Sequence, residues 1–512
     1  MATTVASGGM VADSTAPVER AGTMPPIGLG TRISYGIGAV AAGLKGALFN
    51  TFLIFYYNQV VGIPARVVSI AIALTLVVDA VADPLIGRWS DVTRTRWGRR
   101  HPFMYGSVIP VALFFTLAWF PPAGLGQWGL GLWIFATAAL TRMSLSAFEI
   151  AGNAMAPEMT DDYRERTRLF SLRYLFGYVG AFGFSAVSLA TFFRATPQFP
   201  RTGQLNPSAY PPFVLTGAAV MIAVILISAI GTHSRIPWLR QSNAASGASL
   251  WSHVREMIGS FSNRGFLTIF GFGVFKYSAI GLYSGINIFF GTYLWKLGAG
   301  QLSILTLGGV LAAIVAWPLA PVVAHRFGKR TSAMLFAILG VAWGLTPLLL
   351  ALAGMFLKPG DPRLLPTLLF IDVTYGAMVA ISLINTSAML ADVVEDSAVR
   401  TGRRDSGTFF AASSFMQQCS TAVGILATGV ILELSNFPAK PAPGTVTDAM
   451  VDNLLVHYIP TSMGLWTIGA LILCFYPITK ARHEANLEIL RAREAEAIAS
   501  EQANMPVGGP MR

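Results

Sequence analysis

Charge is scarce in this 512-residue chain. Only 12% of its residues are Asp, Glu, Lys or Arg, 54% are hydrophobic, and the mean hydropathy is +0.57. That balance excludes a soluble globular protein of this length and leaves a polytopic membrane protein. Cysteine is scarcer still. Cys419 and Cys474 both fall in apolar stretches, suit packing better than a disulfide, and have no metal-ligand spacing. Acidic residues number 25 against 36 basic ones, a formal charge of +11. Such an excess could serve nucleic acid, but the charges sit in short loops between apolar runs, so that partner is not expected. No HExxH, no GxxxxGK[ST] and no readable nucleophile–base pair occurs, which disfavours an enzyme, an ATP-driven pump and a bound cofactor. Residues 1–31 lack the apolar core of a signal peptide and read as a disordered tail.

What is abundant is long apolar runs. Twelve can be placed, near 33–58, 66–87, 102–121, 127–153, 169–193, 212–232, 265–295, 301–324, 331–355, 364–390, 407–434 and 456–478. They predict an all-α membrane protein with one six-helix bundle over 32–232 and a second over 265–478. The polar stretch 233–264 is the expected linker, and its Trp251–Phe261 part could form an interfacial amphipathic helix. The tail 479–512 has mixed charges at helical spacing and reads as a short solvated helix. With both termini in the cytoplasm, most Lys and Arg fall in inner loops, as the positive-inside rule requires.

Two carboxylates break the second run. Asp79 and Asp83 are four residues apart, on one helical face. Counted from Arg88, Asp79 lies roughly 13 Å deep, near the bilayer midplane. A carboxylate there costs roughly 3 kcal/mol, so it faces a partner or a wet cavity. The two could form a coupling-ion site or, in a purely structural role, a salt bridge between helices. The run then ends in Gly87, Asp91, Arg94, Arg96, Gly98, Arg99 and Arg100, with a weaker echo after the eighth run, His325 to Arg330. A Gly, a downstream acid and a basic cluster between the second and third helices resemble the loop signature of major facilitator transporters. Gly87, Asp91, Arg99 and Arg100 are then a candidate gating loop, its contacts breaking as two halves rock. Topology setting and binding of anionic membrane lipid are the alternative use of the arginines.

A closer resemblance follows from DAVADPLIGRWSDVTRTRWGRRHPF, with YGIGA, FYYNQVVG, PEMTDDYRERTRLFSLR and MLADVVEDSAVRTGRRDSG in support. These stretches, covering most of 32–480, resemble the glycoside–pentoside–hexuronide:cation symporters, typified by the melibiose permease. The resemblance implies a twelve-helix major facilitator fold, alternating access, a small-molecule solute and a cation as partners, a bacterial-type inner membrane, and a monomer. It places Asp79, Asp83, Glu149 and Ser146 at the cation site. Glu149 is shared with the substrate site, where Arg173 also falls. The departures bear on specificity. Ala82 replaces an amide between the two Asp residues, Gly43 replaces a sugar-binding Asp with Lys45 two residues on, Gln417 stands at a helix 11 Lys, and Asn153 at a Trp that packs on the sugar.

The coupling apparatus is therefore present while the galactoside set is mostly absent. Lys45, Arg142, Arg173 and Lys276 give the membrane interior a positive bias, which suggests an acidic solute. Lys45, Arg142, Glu149, Asn153, Arg173 and Gln417 are the candidate substrate contacts. Lys45 could equally neutralise Asp79 or Glu149, and Lys276 could serve as a salt-bridge partner between the bundles. Asp372 counts as close to the outer surface and solvated. Tyr35, Phe148, Tyr174 and Tyr375 could stack on a sugar or simply pack. Without an oxygen at Ala82, Na⁺ at Asp79 and Asp83 is poorly caged, so H⁺ is the expected coupling ion, with Asp79, the deeper, as its carrier. Crowded carboxylates cannot all stay ionised, which suits a proton. Two other readings stand beside symport of a sugar-like solute. One is transport of lysolipid-like amphipaths, which needs an apolar lateral slot. The other is a non-transporting sensor, which would have no use for membrane carboxylates.

Overall fold

The computed structural model describes residues 25–160, 162–239, 259, 261–401, 406–441 and 445–503. Among the described residues, eleven helices are long and apolar enough to cross a membrane, and a shorter apolar one lies between the second and third of them. In chain order they are α1 (Leu29–Val61), α2 (Ala65–Val92), α3 (His101–Leu117), α4 (Gln127–Met159), α5 (Arg164–Thr191) and α6 (Pro207–His233). The second set is α7 (Arg264–Leu294), α8 (Ala299–Phe327), α9 (Lys329–Leu352), α10 (Leu364–Thr401), α11 (Thr408–Leu434) and α12 (Asp448–Phe475). A polar helix, α13 (Lys480–Ala503), follows. The molecule is an integral membrane protein of two six-helix bundles, α1–α6 and α7–α12.

Small residues set the packing inside each bundle. A Cβ at Gly43 on α1 would overlap the carbonyl oxygen of Gly177 on α5, and one at Gly180 would overlap the Val40 backbone. The second bundle repeats the device: Gly281 on α7 is pressed against the Thr421 carbonyl of α11, and Gly424 against the Ser278 carbonyl. Membrane helices gain no hydrophobic drive from one another, so such backbone contact supplies the van der Waals energy instead. Within α1, the turn Leu48–Phe52 widens to π-helical geometry. Within α2, Pro84 denies the Ala80 carbonyl its helical donor, one residue after Asp83.

The bundles meet across α2–α11, α5–α8 and α1–α7. Most of the hydrogen bonds between them lie at the end away from the arginine-rich loops. There Gln204 Nε2 donates to Thr292 Oγ1 (3.1 Å), Ser303 Oγ to the Ala186 carbonyl (2.7 Å) and the Lys440 amide to the Asn58 carbonyl (3.0 Å). Tyr293 also bonds Gln59, and Phe55 meets Phe289 edge to face at 5.2 Å. At the basic end the ionic clusters stay within one bundle. Arg99 and Arg100 hold Glu158 at 2.7 and 2.9 Å, and Lys329 holds Asp392 at 2.7 Å. The molecule is thus sealed at the far end, and its bundles are not bolted together by these clusters at the basic one.

The helices outrun the apolar runs that announce them. α10 continues to Thr401 and α4 to Met159, because their last turns are polar helix standing beyond the apolar core. For the same reason Gly87 and Asp91 are not in a loop: both ride the last turns of α2, and only Arg99 and Arg100 belong to the connection. Asp372 is not simply solvated, since it is half-buried and accepts from Tyr283 Oη at 3.3 Å. Most of residues 1–31 and of the 233–264 linker, nearly all of the Trp251–Phe261 segment, and 504–512 lie outside the described residues. Cys419 and Cys474 are free thiols.

Candidate functional site

The polar centre of the first bundle is built from α1, α2 and α4. Positions 142, 146 and 149 of α4 are spaced four and three apart, so Arg142, Ser146 and Glu149 share a face. That face meets Asp79, which is 3% exposed and sits halfway along the 28 residues of α2. Ser146 Oγ donates to Asp79 Oδ1 at 2.9 Å. Two cations approach Oδ2: Lys45 Nζ at 3.9 Å and Arg142 Nη1 at 3.8 Å. Lys45 also reaches Glu149 at 3.3 Å. Arg142 donates to Asn50 Oδ1 at 2.9 Å, and Asn50 belongs to the widened turn of α1. The result is a buried network in which each cation serves more than one acceptor. Removing one member would leave an uncompensated charge in low dielectric.

Asp83, one turn along α2, makes no ion pair with this network, though Asp79, Ser146, Lys45 and Glu149 all lie within electrostatic range of it. Its Oδ2 accepts from Gln418 Nε2 of α11 at 2.9 Å, a bond between the bundles. Its Oδ1 is buried without a hydrogen-bond partner. No cation lies within ion-pair distance of it among the described residues. Arg173 is similarly unpaired. It is 7% exposed, its guanidinium lies 5.1 Å from the Tyr35 ring centre, and its Nη1 has no hydrogen-bond partner. Tyr35 Oη donates to the Gly152 carbonyl at 2.9 Å, fixing the ring that carries the guanidinium.

The other expected contacts fall elsewhere. Asn153 and Gln417 are exposed and make no side-chain hydrogen bond to a described residue. Gly43 is pressed against the Gly177 carbonyl of α5, so no side chain could stand there without parting the helices. This explains physically why the position cannot carry a substrate-binding acid. Lys276 makes no ion pair across the bundles and lies instead over the rings of Tyr277 and Phe272, at 4.4 and 5.0 Å. Tyr35 and Phe148 are buried packing residues, while Tyr174 is 72% exposed. At the basic end Asp91 pairs with Arg100 at 2.7 Å, and Glu158 of α4 joins both arginines. This cluster ties α2, α4 and the α2–α3 connection of one bundle, so it does not bridge the halves as a gate would.

Residues 34–480 match the family described as MFS/sugar transport protein. The chain belongs to that family. As a member it is a membrane transporter and not an enzyme. Among its relatives, the isoprimeverose transporter of Lactiplantibacillus pentosus is 24% identical, with 92% of this chain and 93% of the relative aligned. A glucuronide carrier protein homolog of Escherichia coli is 25% identical over 88% and 92%. The sphingosine-1-phosphate transporter of Mus musculus is 25% identical over 92% and 94%. Among solved structures, the inward-open xylose transporter of E. coli overlays with a TM-score of 0.60 at 12% identity, covering 90% of this chain and 98% of its own. That likeness establishes the fold.

Of three further functional candidates, Glu158 and Asp392 escaped the sequence reading of this transporter, and Gln418 was not singled out from its neighbour. Glu158 is the acid that Arg99 and Arg100 share, and it was visible only as one acid within the PEMTDDYRERTR stretch. Gln418, not its neighbour Gln417, reaches across to Asp83. Asp392, held by Lys329 at the basic end of the second bundle, answers Glu158 in the first; its signal was the MLADVVED stretch following a run parallel to α4.

Proposed function

We propose that this protein is a cation-coupled symporter of a sugar-like, acidic solute, working by alternating access with H⁺ as the coupling ion. The observation that carries the reading is the contrast between the two α2 carboxylates. Asp79 is already neutralised by Lys45 and Arg142, which would also repel Na⁺. Ala82 adds no oxygen to build a metal cage. Asp83 has one bare buried oxygen and only an amide donor on the other. A membrane carboxyl without a cation is accommodated most cheaply with a proton on it. Asp83 therefore fits the proton carrier better than Asp79, and its Gln418 contact would let protonation act on the packing of the bundles. The isoprimeverose transporter and the glucuronide carrier homolog among its relatives support a sugar-type solute. Arg173, without an ion pair beside Tyr35, adds to the positive bias of the interior, which suits an acidic solute. The arginine-rich end is assigned to the cytoplasm of a bacterial-type inner membrane, with both termini inside. The structure is then inward-facing.

Transport of amphipathic lipids, as the sphingosine-1-phosphate relative does, is the second reading. The buried ion network of the first bundle favours a polar solute over it. The deciding experiment is uptake of radiolabelled glycosides and glycuronides into proteoliposomes under an imposed pH or Na⁺ gradient. Asp83→Asn should abolish accumulation on a pH gradient while exchange of solute across the membrane persists. Accumulation by the wild type on a Na⁺ gradient at clamped pH, with none on a pH gradient, would reject the proton. Transport of lysolipid alone would reject the sugar reading.

A further inference from the structure

Lys276 is the one lysine of α7 set deep in its helix, twelve residues, or about 18 Å, from Arg264. It is 2% exposed. Its Nζ makes no hydrogen bond or ion pair with any described residue and rests only against the rings of Tyr277 and Phe272. The elements packed around it offer no free acid. On α10 the nearest carboxylate in sequence to the recess, Asp392, is held by Lys329 at 2.7 Å, and Asp372 lies about four turns from Thr386, bonded to Tyr283. On α11 the acid Glu433 is at the far end, 3.6 Å from Arg66. An ammonium in such a place without a counter-charge is unusual, because buried lysines are ordinarily paired.

The ammonium faces a recess of about 30 Å³ walled by α7, α10 and α11, with Tyr277, Thr386, Ser387, Ser413 and Met416 in its lining. Thr386 and Ser387 spend their protons on the Ser382 and Leu383 carbonyls, so toward the recess they offer lone pairs. Lys276 and Ser413 supply the donors. Room for one or two water-sized groups is too little for a sugar ring and enough for the oxygens of a single carboxylate. Tyr277, beside the ammonium, lies within electrostatic range of Tyr174 on α5 of the other bundle.

We propose that Lys276, with Ser413, forms an anion subsite in the second bundle that takes the carboxylate of the transported solute. The proposal deepens the symport reading above and rests on it. It assigns the acid group to the second bundle and leaves the body of the solute to the space between the bundles. Occupancy would supply the missing counter-charge, so solute binding would stabilise the protein through this lysine.

The test uses the purified full chain in detergent and its thermal unfolding midpoint. The probes are methyl β-D-glucuronide, D-glucuronate, methyl β-D-glucoside, and sodium chloride at matched ionic strength. The wild type should be stabilised by at least one of the acids and by chloride not at all. Lys276→Gln should weaken the response to that acid by about tenfold or more in apparent affinity, whereas Lys276→Arg keeps most of it. The unliganded midpoint of Lys276→Gln should not fall, since an unpaired buried charge is removed. Failure of both acids to stabilise the wild type overturns the proposal, as does an undiminished acid response in Lys276→Gln or an equal rise with chloride alone. If methyl β-D-glucoside is accumulated equally by wild type and Lys276→Gln on a pH gradient while no acid binds, the anion subsite is refuted and sugar transport stands.

Discussion

The two bundles share a skeleton and differ in chemistry. Each crosses a pair of helices on glycines, Gly43 with Gly180 in one and Gly281 with Gly424 in the other. Each holds an ionic cluster at the basic end. Between those layers the first bundle carries a neutralised network of Asp79, Lys45, Arg142 and Glu149. The second carries a lone Lys276 over two rings, and Asp372 with only a tyrosine as donor. Identical backbone packing therefore does not require identical polar content. Charge that is paired inside a bundle is inert to the other bundle, while charge left unpaired is available to a ligand or a proton. Among the described interior groups, Asp83, Arg173, Lys276 and Asp372 make no ion pair, and such groups are the ones placed to act.

The comparison is broken most forcefully by unpairing the first bundle. Lys45→Met strips Glu149 of its cation and Asp79 of one of two, and should cost about 3–5 kcal/mol of stability. Lys45→Met combined with Glu149→Gln should recover much of it, because the two removals are coupled. Unfolding midpoints and monodisperse yield in detergent would measure this. Equal losses for the single and double variants would mean that the pair is not the reason for the cost. Lys276→Met in the second bundle should show no such penalty.

The shared skeleton comes next. Gly43→Ala and Gly424→Ala each push a methyl into a facing backbone, and each should destabilise by about 1–3 kcal/mol. The two effects should be similar, since both crossings rest on backbone contact. A tolerated Gly43→Ala would show that α1 and α5 can part, and would reopen that position to a substrate-binding side chain.

How much of this could be read from the chain follows from period and range. The carboxylates at 79 and 83, and the face 142–146–149 on α4, are local helical spacing and were plain in the sequence. Their separation into a neutralised and an unpaired acid was not, because it depends on which helices α2 touches. Gln417 and Gln418 illustrate the limit. One residue is a 100° turn on a helix, so the wrong neighbour points away from Asp83 altogether. Gly87 and Asp91 were misplaced for another reason. Hydropathy marks where a helix leaves the apolar layer, not where its hydrogen bonds stop. Lys276 was legible as deep but not as unpaired, since lack of a partner is a property of the whole fold.

The basic-end clusters offer a smaller effect. Arg100→Ala removes the bonds to Glu158, Asp91 and Ser90 and should cost about 2 kcal/mol, as a hydrogen-bonded and largely buried ion pair does. Lys329→Ala, whose side chain is 36% exposed, should cost about 1 kcal/mol or less against Asp392. Denaturation of the purified variants would rank them. The reverse order would mean that the second bundle, not the first, is braced at this end.

The finest probe is the one polar contact described between the bundles away from the sealed end, Gln418 to Asp83 at 2.9 Å. It exists in the state in which α2 and α11 are pressed together. Gln418→Ala deletes the donor and leaves both Asp83 oxygens without a hydrogen bond. A bond of this kind contributes about 1 kcal/mol, so its loss should shift the balance between sealed and opened far ends roughly fivefold toward the opened state. Spin labels at Ser208 and Asp361, in a background with Cys419 and Cys474 replaced, would report the far-end distance distribution by pulsed dipolar spectroscopy. Lowering the pH should move Gln418→Ala less than the wild type, because the proton on Asp83 then has no partner across the boundary through which to act. If the pH response is the same in both, Asp83 is coupled to the bundles by another route and the Gln418 contact is only packing.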